Sequence, residues 1–459
     1  MGKVKRNALK IIKRLHDAGF TAYIVGGAVR DMVMSKEPED YDIATDAPPA
    51  KVARLFRRVI PVGREFGVSM VVLGGKQYEV AGFRSEGVYL DGRRPSYTEP
   101  STELEDVKRR DFTVNAMLYD IVSGRVIDYV GGRDDIEKRI IRTVGKPDER
   151  FAEDRLRMLR AVRFASRLDF TIDSATFEAI CRNASGITDV SFERIGEELS
   201  KMVTGSHPER ALSLLDETGL LAVILPEVAA MKGVEQPPLF HPEGDVFAHT
   251  RHMLDLFGGG SVTLAFGILL HDVGKPATFT VTDRIRFNRH DEVGADIAGS
   301  VLSRLRFSKE IISRVRALVK NHMRFMHVPD MKQSTLRRFM ALEGFDEMLE
   351  LFRLDCRASH TNLDIYEFIR QEMEREIPVI PDPLLTGDDL IAAGYEPGPV
   401  FSTILGKLVD AQLEGIVINR DQARSFVLRH YPPEKKRQNQ RQRSNQSDSP
   451  ESRDDKSNT

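Results

Sequence analysis

The stretch Ala22–Thr45 reads AYIVGGAVRDMVMSKEPEDYDIAT, and the order of its parts decides the fold. An apolar run, Tyr23-Ile24-Val25, meets Gly26 and Gly27, and a helix-like segment carrying Arg30 and Asp31 follows. After a polar turn come Asp40-Tyr41-Asp42 and Ile43. Alternate residues of an extended strand point to one face, so Asp40 and Asp42 present two carboxylates side by side. Like charges that close are costly unless a cation lies between them. Hard oxygen ligands suit Mg²⁺, which usually takes a few carboxylates plus substrate phosphates. Glycines let a backbone approach closely, and the helix N-terminus after them favours phosphate. A solitary Gly-Gly is usually a turn, and a solitary Asp-x-Asp a solvated loop. Strand, glycine pair, helix with Arg-Asp, turn and Asp-x-Asp in series is more particular, and reads as a metal-dependent phosphoryl-transfer site.

Outward from this stretch the chain supplies groups that fit such chemistry. Residues 5–18 read as a helix, with Leu9, Ile12 and Leu15 near one face, and Gly19 ends it. Ala50–Arg58 reads as another helix, and short strands follow around Gly67–Leu73 and Gln77–Phe83. Arg84–Pro95, RSEGVYLDGRRP, is rich in glycine and arginine and reads as a mobile loop. Glu105–Ala116, EDVKRRDFTVNA, brings Arg110, whose guanidinium matches phosphate oxygens in a fork. Glu153-Asp154-Arg155-Leu156-Arg157 then continues to Arg160 and Arg163. On one continuous helix Asp154 and Arg157 are neighbours. A carboxylate accepting from an exocyclic amine, with an arginine donating to the ring, meets the edge that cytosine and adenine share and rejects uracil and guanine. Arg160 and Arg163 rotate away from Asp154 and are assigned to the triphosphate or to helix support.

GGAVRD followed by DYDIAT, the RRDFT-x-NA run and EDxxRxxRxxR resemble the class II tRNA nucleotidyltransferase and bacterial poly(A) polymerase family. RIGEELSKMV and HPERALSLLDETGLL resemble its neck and body, and PLLTGDDLIAAGYEPGP its RNA-facing tail. The resemblance implies an α/β nucleotidyltransferase head, polymerase-β-like, followed by an all-α neck, body and HD domain. It implies template-independent addition of nucleotides from CTP and ATP to a tRNA or other RNA 3′ end, releasing pyrophosphate. Asp40 and Asp42 would hold Mg²⁺ as the catalytic pair, with Glu79 a candidate third carboxylate from a neighbouring strand. Gly26, Gly27, Arg30 and Arg110 would position the triphosphate, and Asp154 with Arg157 the base. The loop at 84–95 resembles one that CCA-adding and A-adding enzymes carry and that enzymes adding only the two cytidines lack. A poly(A) polymerase, A-only addition, a chiefly HD-type phosphodiesterase or phosphatase, and a noncatalytic RNA-binding module stand as rivals.

Seven of the eleven histidines fall between His241 and His327, at and beyond a Pro-rich connection, Lys232–Pro242. His249-Thr250, His271-Asp272 in LLHDVGKP, His290 and His322 resemble the ordered set of HD metal-dependent phosphohydrolases. Imidazole and carboxylate together suit a divalent transition metal as well as Mg²⁺. Asp355 is a candidate last ligand and Lys275 a candidate phosphate contact.

The 67 basic and 69 acidic residues nearly cancel, so any RNA-binding surface must come from local clustering. The two cysteines cannot form a disulfide framework and suit a reducing cytosol. The N-terminus is a basic amphipathic helix rather than a signal peptide, and no uncharged apolar run is long enough for a bilayer. A cytoplasmic protein without membrane contact is expected. At 459 residues roughly two to four domains are expected. We place a head at 1–145, neck and body at 146–235, an HD domain at 236–370, a helical tail at 371–431 and a disordered polar tail at 432–459.

Overall fold

The computed structural model describes residues 2–61, 67–86, 98–237, 244–375 and 380–433. Most of the loop expected at 84–95, residues 238–242 of the Pro-rich connection and nearly all of the polar tail lie outside the described residues. Contacts group the chain into two compact units, Met1–His322 with Leu354–Thr361, and Met323–Arg353 with Asn362–Thr459. The stretch 236–370 is thus shared between them.

The first unit opens with the helix Lys3–Asp17, whose Ala8, Ile11, Ile12 and Leu15 are fully buried at i, i+3, i+4 and i+7 spacing. It packs on a seven-stranded mixed sheet in the order 59–61, 68–73, 76–82, 42–45, 22–25, 118–120 and 125–127. Asp42–Thr45 is central, antiparallel to Ala22–Val25 and parallel to Lys76–Gly82. Its register sets the site: Val25 lies opposite Asp42, so Gly26 begins where the first carboxylate strand does. Asp40 falls just before the strand, yet the alternation holds, with Asp40 and Asp42 exposed and Tyr41 and Ile43 buried. The expected helix at 50–58 is shorter, Pro49–Leu55, because Phe56 turns extended to cover the core. Arg84–Glu86 and Thr98–Pro100 pair antiparallel.

Behind the sheet the chain becomes helical. Leu156–Leu168 buries ten of its thirteen residues, including Arg157 and Arg163, so it is an interior helix rather than a surface one. Val262–Leu270, VTLAFGILL, buries every residue but its first and is apolar all round. In the second unit Phe325 stacks on Phe352, centroids 4.8 Å apart, and packs beside Phe339 and Phe345. A separate core there gathers Leu385, Leu390, Ile404, Leu408, Val417 and Val427. Thr386 and Asp389 close a reciprocal cap at the start of Gly387–Ala392.

Candidate active sites

In the head, Gly26 has φ +71°, a conformation that side chains other than glycine rarely adopt. A Cβ there would lie 3.7 Å from Arg110 Nη1 and 3.8 Å from Asp42 Oδ2, so glycine backbone, cation and carboxylate converge on one point. Asp42 keeps a solvent face, but surrounding protein and then Glu79 push its carboxyl up to about 6. Arg110 pulls the other way, and Asp40 adds to the rise. Three carboxylates with one opposing guanidinium are a donor set that a hard divalent cation fits.

Arg110 is aimed from behind. Asp106, 1% exposed, accepts from Arg110 Nη2 at 2.9 Å and from Arg109 Nε at 3.0 Å. Burial alone would raise the Asp106 carboxyl, but the two guanidiniums hold it below the usual range. The i+3 and i+4 spacing of the two arginines from Asp106 is the sequence signal that reading for motifs passed over. Arg30 is less open than expected. It is 6% exposed, with Nε and Nη2 on Asp31 Oδ1 and Nη1 on Asn115 Oδ1 at 2.8 Å. Its guanidinium underlies Gly27, 3.4 Å from where a Cβ would stand, so it braces the glycine turn.

The single helix expected to carry Asp154 and Arg157 requires a correction. Asp154 and Arg157 do not share a helix face, because Pro147–Glu153 ends at Asp154, whose backbone is extended, and Leu156–Leu168 starts afresh. Asp154 accepts from Leu156 N at 3.0 Å and from Arg194 Nη2 at 2.8 Å. Arg157 instead donates to the carbonyls of Arg150 and Arg109, at 3.0 and 3.2 Å, and pairs with Glu153. A buried polar group must find a partner, and here the backbone of the RRDFT run provides it. Arg160 Nε donates to Asp111 Oδ2 at 2.8 Å, and Arg163 pairs with Glu198 at 2.9 Å. Arg30, Arg160 and Arg163 all lie over the Phe164 ring, at 5.8, 5.4 and 4.4 Å. Of the two roles offered for Arg160 and Arg163, these contacts are those of helix support.

The HD residues converge. His249 lies on the helix Val246–Phe257, His271 caps Val262–Leu270, His290 opens His290–Arg304, and His322 caps Lys309–Asn321. Gly274 permits this, since a Cβ there would fall 2.2 Å from the His290 carbonyl. Asp272 bridges two triads: Oδ2 lies 3.1 Å from His271 Nε2, and Oδ1 lies 3.5 and 3.7 Å from His290 and His322 Nε2. The triads are His249, His271, Asp355 and Asp272, His290, His322, with ligand atoms within 4.8 Å in each. Asp355, distant in sequence, therefore belongs to the cluster, 3.2 Å from His249.

Backbone carbonyls orient three of the rings. Nδ1 of His271, His290 and His322 faces the carbonyls of Ile268, Phe287 and Val319 at 2.8, 2.8 and 2.6 Å. A carbonyl only accepts, so each Nδ1 donates to it and each Nε2 points inward. His290 and His322 then face each other, Nε2 to Nε2, at 3.2 Å. Burial pushes the His322 imidazole down to about 4, against the pull of Asp272. Inward-pointing imidazole nitrogens around a buried carboxylate fit a divalent metal. Lys275 does not reach out for phosphate: its Nζ lies 2.6 Å from Asp272 and 2.6 Å from Gln236 Oε1.

Comparison with known proteins matches residues 22–142 to the poly A polymerase head domain. Residues 169–232 match the "probable RNA and SrmB- binding site of polymerase A", and 246–348 the HD domain. The CCA-adding enzyme of Bacillus subtilis (strain 168) is 49% identical over 221 residues, 48% of this chain and 55% of that one. That of Geobacillus stearothermophilus is 48% identical over 220 residues, 48% of this chain and 54% of that one. The chain thus spans about half the length of the curated relatives it matches. The Bacillus stearothermophilus CCA-adding enzyme solved with CTP superposes with TM-score 0.71 at 28% identity, covering 96% of this chain and 100% of that one. The Thermotoga maritima enzyme solved with tRNA shares the fold, with TM-score 0.61 at 19% identity over 93% of this chain and 95% of that one. A poly A polymerase head domain, a polymerase A RNA-binding region and an HD domain thus follow one another along this chain.

Proposed function

We propose that this protein adds nucleotides from CTP and ATP to the 3′ end of tRNA without a template, releasing pyrophosphate in the cytoplasm. The observation that supports this reading best is the meeting of Gly26, Arg110 and Asp42 at one point, with Asp40 and Glu79 alongside. Asp40 and Asp42 would hold Mg²⁺, which supplies charge neutralisation and a more acidic 3′-hydroxyl when bound. Arg110, fixed by Asp106, places one guanidinium edge where the triphosphate would lie. Arg30, Asn115 and Gly27 hold the glycine turn in shape, keeping its backbone open to phosphate. Asp154, steered by Arg194, would accept from the amino group of cytosine or adenine. Arg157 would complete the base edge by exchanging a backbone carbonyl for the ring.

The test uses a tRNA transcript lacking its CCA end, supplied with CTP alone, ATP alone or both. Two cytidines from CTP alone and a full CCA from both are expected. Addition confined to one adenosine, or a long adenosine tail, would overturn this reading in favour of A-addition or poly(A) synthesis.

The bridged triads favour a second activity, a metal-dependent phosphohydrolase in the HD domain. Imidazole nitrogen with carboxylate oxygen suits a transition metal there, in contrast to the all-oxygen head.

A further inference from the structure

The head carries a cationic face that the catalytic reading leaves unused. Segments 3–17 and 49–58 together hold ten lysines and arginines against a single acid, Asp17. The chain as a whole has a formal net charge of −2, so this is segregation rather than general basicity. Arg6, Lys10 and Arg14 recur along the side of the first helix opposite its buried Ala8, Ile12 and Leu15, and all three are exposed. Arg14 lies over the Phe56 ring at 5.5 Å, joining this stripe to the exposed Arg54, Arg57 and Arg58. Among the described residues, Lys13 pairs with Asp17 at 3.1 Å on this face. The patch follows the far end of the strand that begins at Asp42. Like charges so gathered repel one another and are favourable mainly toward an external polyanion.

We propose that this face docks the phosphate backbone of RNA, away from the 3′ end that enters the site, an inference that rests on the RNA reading above. Lys and Arg here are interleaved with few exposed apolar groups, which suits a backbone of regular charge better than a lipid surface. The test compares wild type with R54Q/R57Q/R58Q, full chain, by fluorescence anisotropy on labelled tRNA and on a plain RNA duplex, across a KCl series. Three lost phosphate contacts should flatten the slope of log K against log salt by about 2 to 3. Cytidine incorporation at saturating tRNA should be unchanged, which also reports that the variant is folded. Equal affinity and slope for both proteins would overturn the proposal. So would loss of binding to phosphatidylglycerol vesicles with RNA binding unaltered. If wild type binds RNA through these arginines but adds no nucleotide, the docking face stands and the catalytic reading falls.

Discussion

In the head, Asp40, Asp42 and Glu79 each keep a solvent-exposed face, and burial by the surrounding protein, followed by Glu79, raises Asp42 up to about 6. In the HD domain, Asp272 is 2% exposed and held well below the usual carboxylate range, His271 and Lys275 opposing the effect of burial. One centre leaves its negative charge under-compensated until cation and triphosphate arrive. The other is surrounded by protein groups whose orientation is fixed beforehand by helix-end carbonyls. The difference matches what each would bind: a site that must accept and release a charged nucleotide cannot neutralise itself, whereas a resident metal profits from rigid ligands.

The largest effect should come from Asp42→Asn. Removing one charged oxygen ligand takes away transition-state stabilisation, so nucleotide addition should fall by about a thousand-fold or more. Without metal, the same change relieves repulsion from Glu79 and Asp40, so the thermal midpoint at neutral pH should hold or rise. Turnover within a few-fold of wild type would remove Asp42 from the chemistry.

Asp272→Asn should act in the other centre alone. Hydrolysis of phosphodiesters with Mn²⁺ or Ni²⁺ should fall about a hundred-fold or more while CCA addition continues. Loss of both activities in a variant with a wild-type circular dichroism spectrum would show that the centres are coupled, and the contrast drawn above would fail.

The contrast also has a pH signature. His322 is neutral in the folded chain down to about 4, while an unfolded histidine takes its proton near 6.5. Between those values the unfolded state binds more protons, so the metal-free protein should lose stability as pH falls through that window. Urea midpoints at pH 7 and 5 measure this, and His322→Asn should narrow the gap. An equal gap in the variant would place the acid sensitivity elsewhere.

How far the sequence alone carries depends on whether partners are local. The glycine turn, the Asp-x-Asp alternation and the HD order were legible because each is a short pattern tied to backbone geometry. Glu79 was reached only through the family resemblance, since the parallel pairing of Ile43 with Val80 that puts it beside the carboxylates is set by the folded sheet. Asp355 was hard to weigh, because it closes the cluster from a helix over eighty residues beyond His271. The helix break at Asp154 escaped the periodicity, since nothing in EDRLR is a helix breaker. Its extended backbone answers to tertiary partners, Arg194 from a later helix above all, and those only folding reveals.

Arg194 therefore offers the finest test of the head. Its Nη2 lies 2.8 Å from Asp154 Oδ2, while Asp154 Oδ1 is held by the Leu156 amide. Both residues are part-exposed, so Arg194→Ala should cost little stability. It should free the Asp154 carboxylate to rotate, weakening the donor preference it imposes on the base. The expected result is a loss of about three- to ten-fold in preference for CTP over UTP, on the order of one charge-assisted hydrogen bond, with the rate for CTP less affected. Arg157→Ala separates the alternatives, because Arg157 also holds the Arg109 carbonyl behind Arg110. If it serves only that backbone, incorporation of every nucleotide should drop together. If it also reads the ring, the CTP-to-UTP ratio should shift further than in Arg194→Ala. An unchanged ratio in both variants would mean that the base is read by groups other than Asp154 and its partners.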